Sequence, residues 1–343
     1  SLRVLDGAVV VFDGVAGVEP QTETNWRLAD QYKVPRLCYV NKMDRIGANF
    51  AHCVEGIRER LGANALLCQV PLGSSDEFVG MVDMVAGVGY LWASDDKDST
   101  WESVPLEALK DRLSFASTAD NAWIADLPKL RQDLLETALA LDDDAFERLL
   151  NTGEFDPAVL KHCIRKGTVT GELVPVLCGS SYKNKGVQQL LDAVVDYLPY
   201  PGENGGIAMV DEDGNVVGEQ VVTDDAPARA LAFKVINDQF GTLTFCRIYS
   251  GVIKKGDTLQ NVTRGKKERV GRIVEVQANA TKEIDEVRAG DICAFVSMKD
   301  TETGDSLSDP GHPALLERMR FPDPVISVSV EPKTRGDVDK MST

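Results

Sequence analysis

The sequence predicts a doubly wound α/β domain that contains an acidic α+β insertion and is followed by an antiparallel β-barrel domain. Strand-like apolar runs alternate with amphipathic helical stretches in residues 1–63 and 161–200, an acidic segment separates these two parts, and the hydrophobic period changes to two from residue 229. The 343 residues suit two or three domains, and a composition of 43% hydrophobic and 27% charged residues is typical of a folded protein.

The α/β part begins with a continuous apolar run, which is typical of a strand buried on both faces of a parallel sheet. Pro20 suits the first turn of a helix, and Val34-Pro35 must end it. Gly62 and Pro199 end two further helices with apolar stripes. In chain order, the predicted elements are a strand at 7–12, a helix at 20–32, a strand at 36–40, a helix at 50–61, a strand at 173–178 and a helix at 187–198.

The insertion at residues 64–160 is too long for a loop. It begins with strand-like runs at 66–70, 79–82 and 89–92 and then turns helical at 106–113, 126–141 and 144–150. With 19 acidic and six basic residues, it holds most of the net charge of −17. Its acidic surface is either a solvated helical face or a docking surface for a protein partner. The net charge also argues against a broad basic surface, so any RNA contact must be local.

Residues 201–228 are rich in Pro, Gly and Asp and predict a linker. Short runs of period two, separated by Gly or Asp turns, then predict a closed antiparallel barrel at 229–322. After Pro322-Asp323-Pro324, the alternating run at 325–330 has no partner in sequence. We interpret residues 323–343 as the start of a third domain.

The seven cysteines are odd in number, form no C-x-x-C pair and lie mostly in apolar runs. We interpret them as reduced core thiols of a cytosol-like compartment rather than a disulfide or zinc framework. No apolar run reaches the roughly 18 residues of a membrane-spanning helix. We therefore predict no metal ligands and no membrane contact, and we expect a monomer that begins inside a domain.

Asn41-Lys42-Met43-Asp44 follows the second predicted strand, at the edge where open α/β sheets bind ligands. The Asp44 carboxylate can accept from both N1–H and N2–H of guanine, two donors that adenine does not offer at that edge. Asn41 can bond the opposite edge of the base, and the stem of Lys42 can lie along the ring while its ammonium stays in water. Met43 is the spacer that turns Asp44 toward the base.

The second half of this pocket is predicted after the third strand, at residues 178–186. Backbone N–H groups of a tight Gly/Ser turn can donate to guanine O6, with Ser180 bracing the loop. Alone, such a turn is more often a simple helix entry, and only its pairing with the first loop makes it a base site. The predicted nucleotide-binding residues are Asn41, Lys42, Met43, Asp44, Ser180, Ser181 and Tyr182.

Several segments resemble the elongation factor G family of translational GTPases. They include Gly-Val-Glu-Pro-Gln-Thr at 17–22, Asn-Lys-Met-Asp at 41–44, Cys-Gly-Ser at 178–180 and the barrel segments 240–251, 269–273 and 287–292. The resemblance implies a partial P-loop-GTPase-type domain, GTP or GDP as ligand with Mg²⁺ in the full-length parent, and GTP-driven translocation of tRNA and mRNA on a cytoplasmic or organellar ribosome. The family usually has Ser-Ala in place of Ser180-Ser181, so this chain adds a hydroxyl near the base.

The printed sequence contains no G-x-x-x-x-G-K-[ST] loop and none of the switch segments that hold magnesium and orient water in this family. Because phosphoryl transfer depends on those parts, we expect the chain neither to hydrolyse GTP nor to bind it tightly. The strand at 7–12 would lie against a first strand that the sequence lacks, which predicts one apolar sheet edge without a partner. Two alternatives stay open: a ribosome-protection-type GTPase and a non-catalytic ribosome-docking module.

One local basic cluster lies in the predicted barrel. As a solvated hairpin it needs no ligand, but the resemblance implies a ribosome-facing barrel in which the cluster contacts rRNA phosphates, and an acidic insertion that meets a ribosomal stalk protein. The candidate residues for rRNA contact are Lys254, Lys255, Arg264, Lys266, Lys267, Arg269 and Arg272.

Overall fold

A computed structural model describes residues 1–96, 99–112, 123–203, 205–238, 241–278, 280–319, 329 and 331–332. The strand predicted at 325–330 and most of the predicted third domain lie outside these residues. None of the helices in the described ranges is long and apolar enough to cross a membrane.

Four parallel strands form the central sheet of the α/β part, in the order β1-β2-β8-β3. Numbered along the chain, the elements of the first 200 residues are β1 (Ala8–Asp13), α1 (Pro20–Gln31), β2 (Arg36–Asn41), α2 (Phe50–Glu59), β3 (Ala65–Leu67), β4 (Gln69–Leu72), β5 (Gly80–Asp83), β6 (Val88–Trp92), β7 (Trp101–Pro105), α3 (Leu106–Arg112), α4 (Trp123–Leu139), α5 (Asp143–Thr152), α6 (Pro157–Thr170), β8 (Val174–Cys178) and α7 (Val187–Tyr197).

The burial of the central strands follows from their apolar sequence. Residues 37–40 of β2 are at most 1% exposed, as expected for a parallel strand covered on both faces. By contrast, β1 pairs only with β2, and its other edge has no partner strand within the described ranges. Val11 on β1 is 57% exposed. The structure therefore has the open sheet edge that the sequence predicted.

The run predicted as a single strand at 66–70 is divided between two sheets. Ala65–Leu67 pairs in parallel with β8 and belongs to the central sheet, whereas Gln69–Leu72 pairs with β5. The chain turns at Cys68, whose N–H donates to the carbonyls of Leu66 and Val176. α6 also packs on β8 and α7.

The insertion consists of an antiparallel sheet in the order β4-β5-β6-β7, together with α3, α4 and α5. The sequence did not predict β7, because the polar Glu102 and Ser103 interrupt its apolar pattern and most of the strand is exposed. Its Trp101 ring packs against Trp92 of β6 at a centroid distance of 5.6 Å. The end of the helix predicted at 106–113 lies outside the described residues.

The second part of the chain is an antiparallel β-barrel, as predicted. Eight strands in the order β15-β14-β20-β11-β12-β19-β16-β17, with the separate β13–β18 pair, enclose one apolar core. The elements are β9 (Ile207–Val210), β10 (Val216–Gln220), β11 (Arg229–Asp238), β12 (Gly241–Ser250), β13 (Val252–Lys254), β14 (Thr258–Asn261), β15 (Lys266–Arg269), β16 (Arg272–Gln277), β17 (Ala280–Ile284), β18 (Glu286–Arg288), β19 (Ile292–Val296), β20 (Ser306–Ser308) and β21 (Leu315–Leu316).

The predicted linker at 201–228 contains a β-hairpin. Strands β9 and β10 pair with each other, and β21 pairs with the other side of β9. Ile207 of β9 is buried against Leu231, Tyr249 and Leu316 of the barrel side, and Val4 joins the same cluster. The segment therefore packs on the barrel rather than only connecting two domains.

The first residues of the chain are also fixed to the barrel. Arg247 of β12 is 3% exposed and donates to both carboxylate oxygens of Asp6, at 2.7 and 2.9 Å, and to the Val4 carbonyl at 3.3 Å. Since Asp6 comes just before β1, this pair joins the barrel to the edge strand of the central sheet.

All seven cysteines are buried and free. Burial raises the pKa of the Cys53 thiol to about 11 and that of Cys293 to about 12, so both are neutral at pH 7. This agrees with the prediction of core thiols.

Candidate nucleotide-binding site

The loops that follow β2 and β8 meet at the carboxyl edge of the central sheet. Parallel pairing of Val40 with Cys178 brings both strand ends to the same level. The Met43 N–H donates to the Gly179 carbonyl at 3.1 Å, and the Gly179 N–H donates to the Val40 carbonyl at 3.0 Å. Six of the seven residues predicted for nucleotide binding lie on these two loops, and Asn41 is the last residue of β2.

Asn41 and Ser181 bridge the loops across 140 positions of sequence. The Asn41 Nδ2 donates to the Ser181 hydroxyl at 2.9 Å, and the Ser181 backbone N–H donates to the Asn41 Oδ1 at 2.9 Å. The sequence predicts that Asn41 bonds the base. In the structure its amide pairs with Ser181, because the converging strands bring the two residues within hydrogen-bond reach. The extra hydroxyl of Ser181 thus has a partner.

The Asp44 side chain, unlike that of Asn41, has an oxygen without a partner in the described part of the chain. Its Oδ1 is buried and has no hydrogen-bond partner among the described residues. A buried carboxylate oxygen without a donor costs free energy, so it is well suited to accept from a ligand N–H. The preceding Met43 is 1% exposed and anchors the loop in the core.

Lys42 is held by a residue that the sequence analysis did not select. Its backbone has a left-handed φ of 63°, and its Nζ donates to the Asp13 Oδ2 at 2.5 Å. The other Asp13 oxygen accepts from the Val15 N–H at 2.9 Å, which fixes the carboxylate. The Lys42 hydrogen bond holds the pKa of Asp13 below its ordinary value of 3.8. Asp13 is the last residue of β1 and pairs in register with Asn41. Its position directly after a predicted strand was a signal in the sequence that could have identified it.

The Ser180 loop is closed by its own backbone. Ser180 is fully buried, and its N–H and C=O pair with the C=O and N–H of Lys185, both at 2.9 Å. Its hydroxyl accepts from the Lys183 N–H at 3.2 Å. A side chain at Gly179 would collide with the Tyr39 hydroxyl and the Lys185 carbonyl, so the turn depends on glycine. Tyr182 is 73% exposed at the tip of the loop.

Within the described part of the chain, no group of three or more His, Cys, Asp or Glu side chains is arranged to hold a metal ion.

Four members of the predicted basic cluster are paired with carboxylates. Lys255 contacts Glu283 at 2.5 Å and Arg264 contacts Asp305 at 2.8 Å, while Lys254 and Lys266 pair with Glu286 and Asp300. The remaining three, which are exposed and form no ion pair with a described residue within 4 Å, are Lys267, Arg269 and Arg272. The basic surface is therefore smaller than the sequence suggested.

Comparison with known proteins agrees with this arrangement of sheet and loops. The family model of the elongation factor Tu GTP binding domain matches residues 1–200, more than half of the chain. The chain belongs to this GTP-binding family. The model of elongation factor Tu domain 2 matches residues 241–308, within the barrel.

Members of this family with similar sequences include two bacterial proteins named elongation factor G. The protein of Gluconobacter oxydans is 48% identical over 349 residues, and that of Granulibacter bethesdensis is 48% identical over 350 residues. Each alignment covers 100% of this chain and 48% of the relative, so the chain spans about half the length of these relatives.

The fold also matches a crystal structure of a protein from Thermus thermophilus. The TM-score is 0.74 at 25% identity, and the alignment covers 99% of this chain and 46% of that protein. The likeness therefore includes both the α/β part and the barrel.

Proposed function

We propose that the chain carries the guanine-recognition and ribosome-facing parts of a translational GTPase of the elongation factor G type, in which GTP hydrolysis drives the movement of tRNA and mRNA. The observation that carries this proposal is the buried Asp44 Oδ1, which has no hydrogen-bond partner among the described residues and lies on the loop bonded to Gly179. The match of this whole chain to about half the length of proteins named elongation factor G supports it.

Guanine recognition follows from the chemistry of this loop pair. The Asp44 carboxylate accepts from the N1–H and N2–H of guanine, whereas adenine leaves the buried oxygen without a donor. Asn41 and Ser181 hold the two loops together, and Asp13 fixes Lys42 beside them. Selectivity in this scheme is due to Asp44, and the surrounding residues keep it in place.

GTP hydrolysis is assigned to a longer polypeptide. Magnesium and a phosphate-binding loop neutralise charge on the transferred phosphoryl group in such enzymes. The printed sequence has no G-x-x-x-x-G-K-[ST] loop, so the 343-residue chain is expected to release no phosphate from GTP. Steady phosphate release by the purified chain, free of contaminating GTPases, would contradict this expectation.

A calorimetric titration of GDP and ADP tests base recognition. We expect the 343-residue chain to bind GDP weakly and ADP more weakly still, and a longer polypeptide with a phosphate-binding loop to bind GDP tightly with the same base preference. Equal affinities for GDP and ADP in both proteins would overturn the proposed function.

The ribosome is the proposed partner, reached in the cytoplasm or an organelle matrix. Lys267 and Arg269 lie on one face of β15, on either side of the buried Glu268, and suit contact with rRNA phosphates. The acidic insertion, with its 19 acidic residues, is the proposed docking surface for a protein partner such as a ribosomal stalk protein.

Charge reversal tests the barrel surface. The Lys267→Glu/Arg269→Glu variant is expected to bind ribosomes more weakly and to lower the salt dependence of log affinity by about 0.7 for each lost phosphate contact. Lys282→Glu, a lysine that is 79% exposed on β17, serves as the control. If both proteins bind ribosomes with the same salt dependence, the barrel cluster has no such role.

A further inference from the structure

We call the loop after β2, which carries Asp44, the first base loop, and the loop after β8, which carries Ser180, the second base loop. Ser75 of the insertion contacts the first base loop. This residue follows β4 in a left-handed conformation with φ of 57°. Its N–H donates to the Met43 carbonyl at 2.8 Å, and its hydroxyl donates to the Arg45 carbonyl at 3.1 Å. The backbone on both sides of Asp44 is therefore bonded to one residue of the insertion.

The insertion reaches the second base loop through Lys185. The side chain of Lys185 is 3% exposed, and its Nζ donates to the Phe78 carbonyl at 3.0 Å and to the Asp95 Oδ1 at 2.7 Å. The ammonium also lies 5.8 Å from the centre of the Phe78 ring. Both acceptors belong to the insertion, on loops next to β5 and β6.

The backbone of Lys185 connects this contact with the insertion to the second base loop. Its N–H and C=O form the pair with Ser180 that closes the turn, and its C=O also accepts from the Tyr39 hydroxyl at 3.3 Å. Asp95 additionally pairs with Lys183, the residue whose N–H bonds the Ser180 hydroxyl. One carboxylate of the insertion thus fixes two side chains of the Ser180 loop.

A buried ammonium needs hydrogen-bond acceptors, because an unpaired charge in the protein interior costs several kcal/mol. With Lys185 held by Phe78 and Asp95, displacement of the insertion must either break these bonds or move the Ser180 turn. The same displacement would pull on the Met43 carbonyl through Ser75. A displacement of this end of the insertion is therefore expected to change the conformation of both base loops.

We propose that Lys185 is a positioning residue through which the acidic insertion sets the geometry of the guanine-reading loop. The inference rests on the proposed guanine site and deepens it, because it makes base affinity depend on Asp95, a residue outside both base loops. A protein that docks on the insertion and shifts the loop of Asp95 would then change the affinity for guanine nucleotide.

The test uses Asp95→Asn in the 343-residue chain, because the Asp95 side chain is 57% exposed and its removal leaves the core intact. We expect GDP affinity, measured by NMR titration, to fall roughly fivefold while ADP affinity stays unchanged, and the melting temperature to fall because the buried Lys185 ammonium loses its carboxylate. Amide hydrogen exchange at Ser180 and Lys185 is expected to accelerate. Asp95→Glu should restore both properties. The matched control is Asp196→Asn, which breaks the exposed Lys161–Asp196 pair.

A second variant, Lys185→Met, removes the ammonium while keeping an unbranched side chain, and it should weaken GDP binding more than Asp95→Asn. Unchanged GDP affinity and unchanged exchange at Ser180 and Lys185 in Asp95→Asn would overturn the inference. If the unmodified chain shows no preference for GDP over ADP, the proposed function fails instead. The exchange rates at Ser180 and Lys185 then still decide whether the insertion holds the loop.

Discussion

Asn41 at the end of β2 and Lys42 and Asp44 on the loop that follows each have a different hydrogen-bonding environment. Asn41 bonds Ser181, Lys42 bonds Asp13, and the Asp44 Oδ1 has no donor within the described structure. The first two interactions hold the loop, whereas the Asp44 Oδ1 is available to accept a hydrogen bond from a ligand. The motif and its place after a strand could be predicted from sequence, but these partners could not, since they depend on which strand ends meet.

The ion pair of Asp13 and Lys42 predicts a pH effect. Because the folded-state pKa of Asp13 is lowered, its stabilising contribution is present above the ordinary value of 3.8 and is lost as pH falls through the lowered pKa. Asp13→Asn should reduce the free energy of unfolding by roughly 1 kcal/mol at pH 7, a value that allows for solvent screening of the partly exposed pair.

Urea unfolding between pH 7 and pH 3 measures this effect. The difference between wild type and Asp13→Asn should shrink toward the acid end, because wild type loses the same interaction there. A constant difference over the whole range would mean that the Asp13 carboxylate does not act through its charge.

At the scale of elements, the predictions succeeded where one apolar pattern corresponds to one strand or helix. β1, α1 and β2 formed as predicted because a continuous apolar run marks each strand and Pro20 and Pro35 bound the helix. The run at 66–70 was predicted as one strand but is divided in the structure. The backbone turns at Cys68, an apolar residue that gives no turn signal in the sequence. The hairpin of β9 and β10 was predicted as a linker, because Pro, Gly and Asp residues are typical both of linkers and of the turns that flank a hairpin.

The open edge of β1 predicts self-association. Val11 is 57% exposed on a strand whose outer backbone groups have no partner strand among the described residues. Val11→Lys should lower association at high concentration, because a charged side chain discourages strand pairing. Light scattering measures the change. Val195→Lys, on the exposed face of α7 where Val195 is 76% exposed, controls for added charge alone, and an equal decrease in this variant would contradict the role of the edge.

At the scale of the whole molecule, the order of domains could be predicted from sequence, whereas the contacts that join them could not. Arg247 and Asp6 are 241 positions apart, and Lys185 and Asp95 are 90 apart. Periodicity reports only which face of a local element is apolar. It contains no information on which charged residues of distant segments meet, so both interdomain pairs appear only in the structure.

The Arg247–Asp6 pair predicts how the barrel and the α/β part unfold together. Asp6→Ala leaves a guanidinium that is 4% exposed without its carboxylate, which should cost about 3 kcal/mol of unfolding free energy. In urea denaturation we expect a lower unfolding midpoint and separate unfolding transitions for the two domains. Glu317→Ala removes the exposed partner of Arg3 and should cost about 1 kcal/mol or less. Equal losses in the two variants would contradict a coupling role for Asp6.

The proposed recognition of guanine rests on the Asp44 carboxylate. Replacing its carboxylate by an amide changes one acceptor into a donor, and xanthine carries a carbonyl where guanine carries the N2 amino group. Asp44→Asn should therefore weaken GDP binding by about 100-fold and favour xanthosine diphosphate.

Parallel calorimetric titrations of GDP and xanthosine diphosphate into wild type and Asp44→Asn are the most direct measurement. We predict that wild type prefers GDP and that the variant prefers xanthosine diphosphate, with both proteins melting at similar temperatures. A variant that keeps the wild-type preference for GDP would contradict the assignment of base recognition to Asp44.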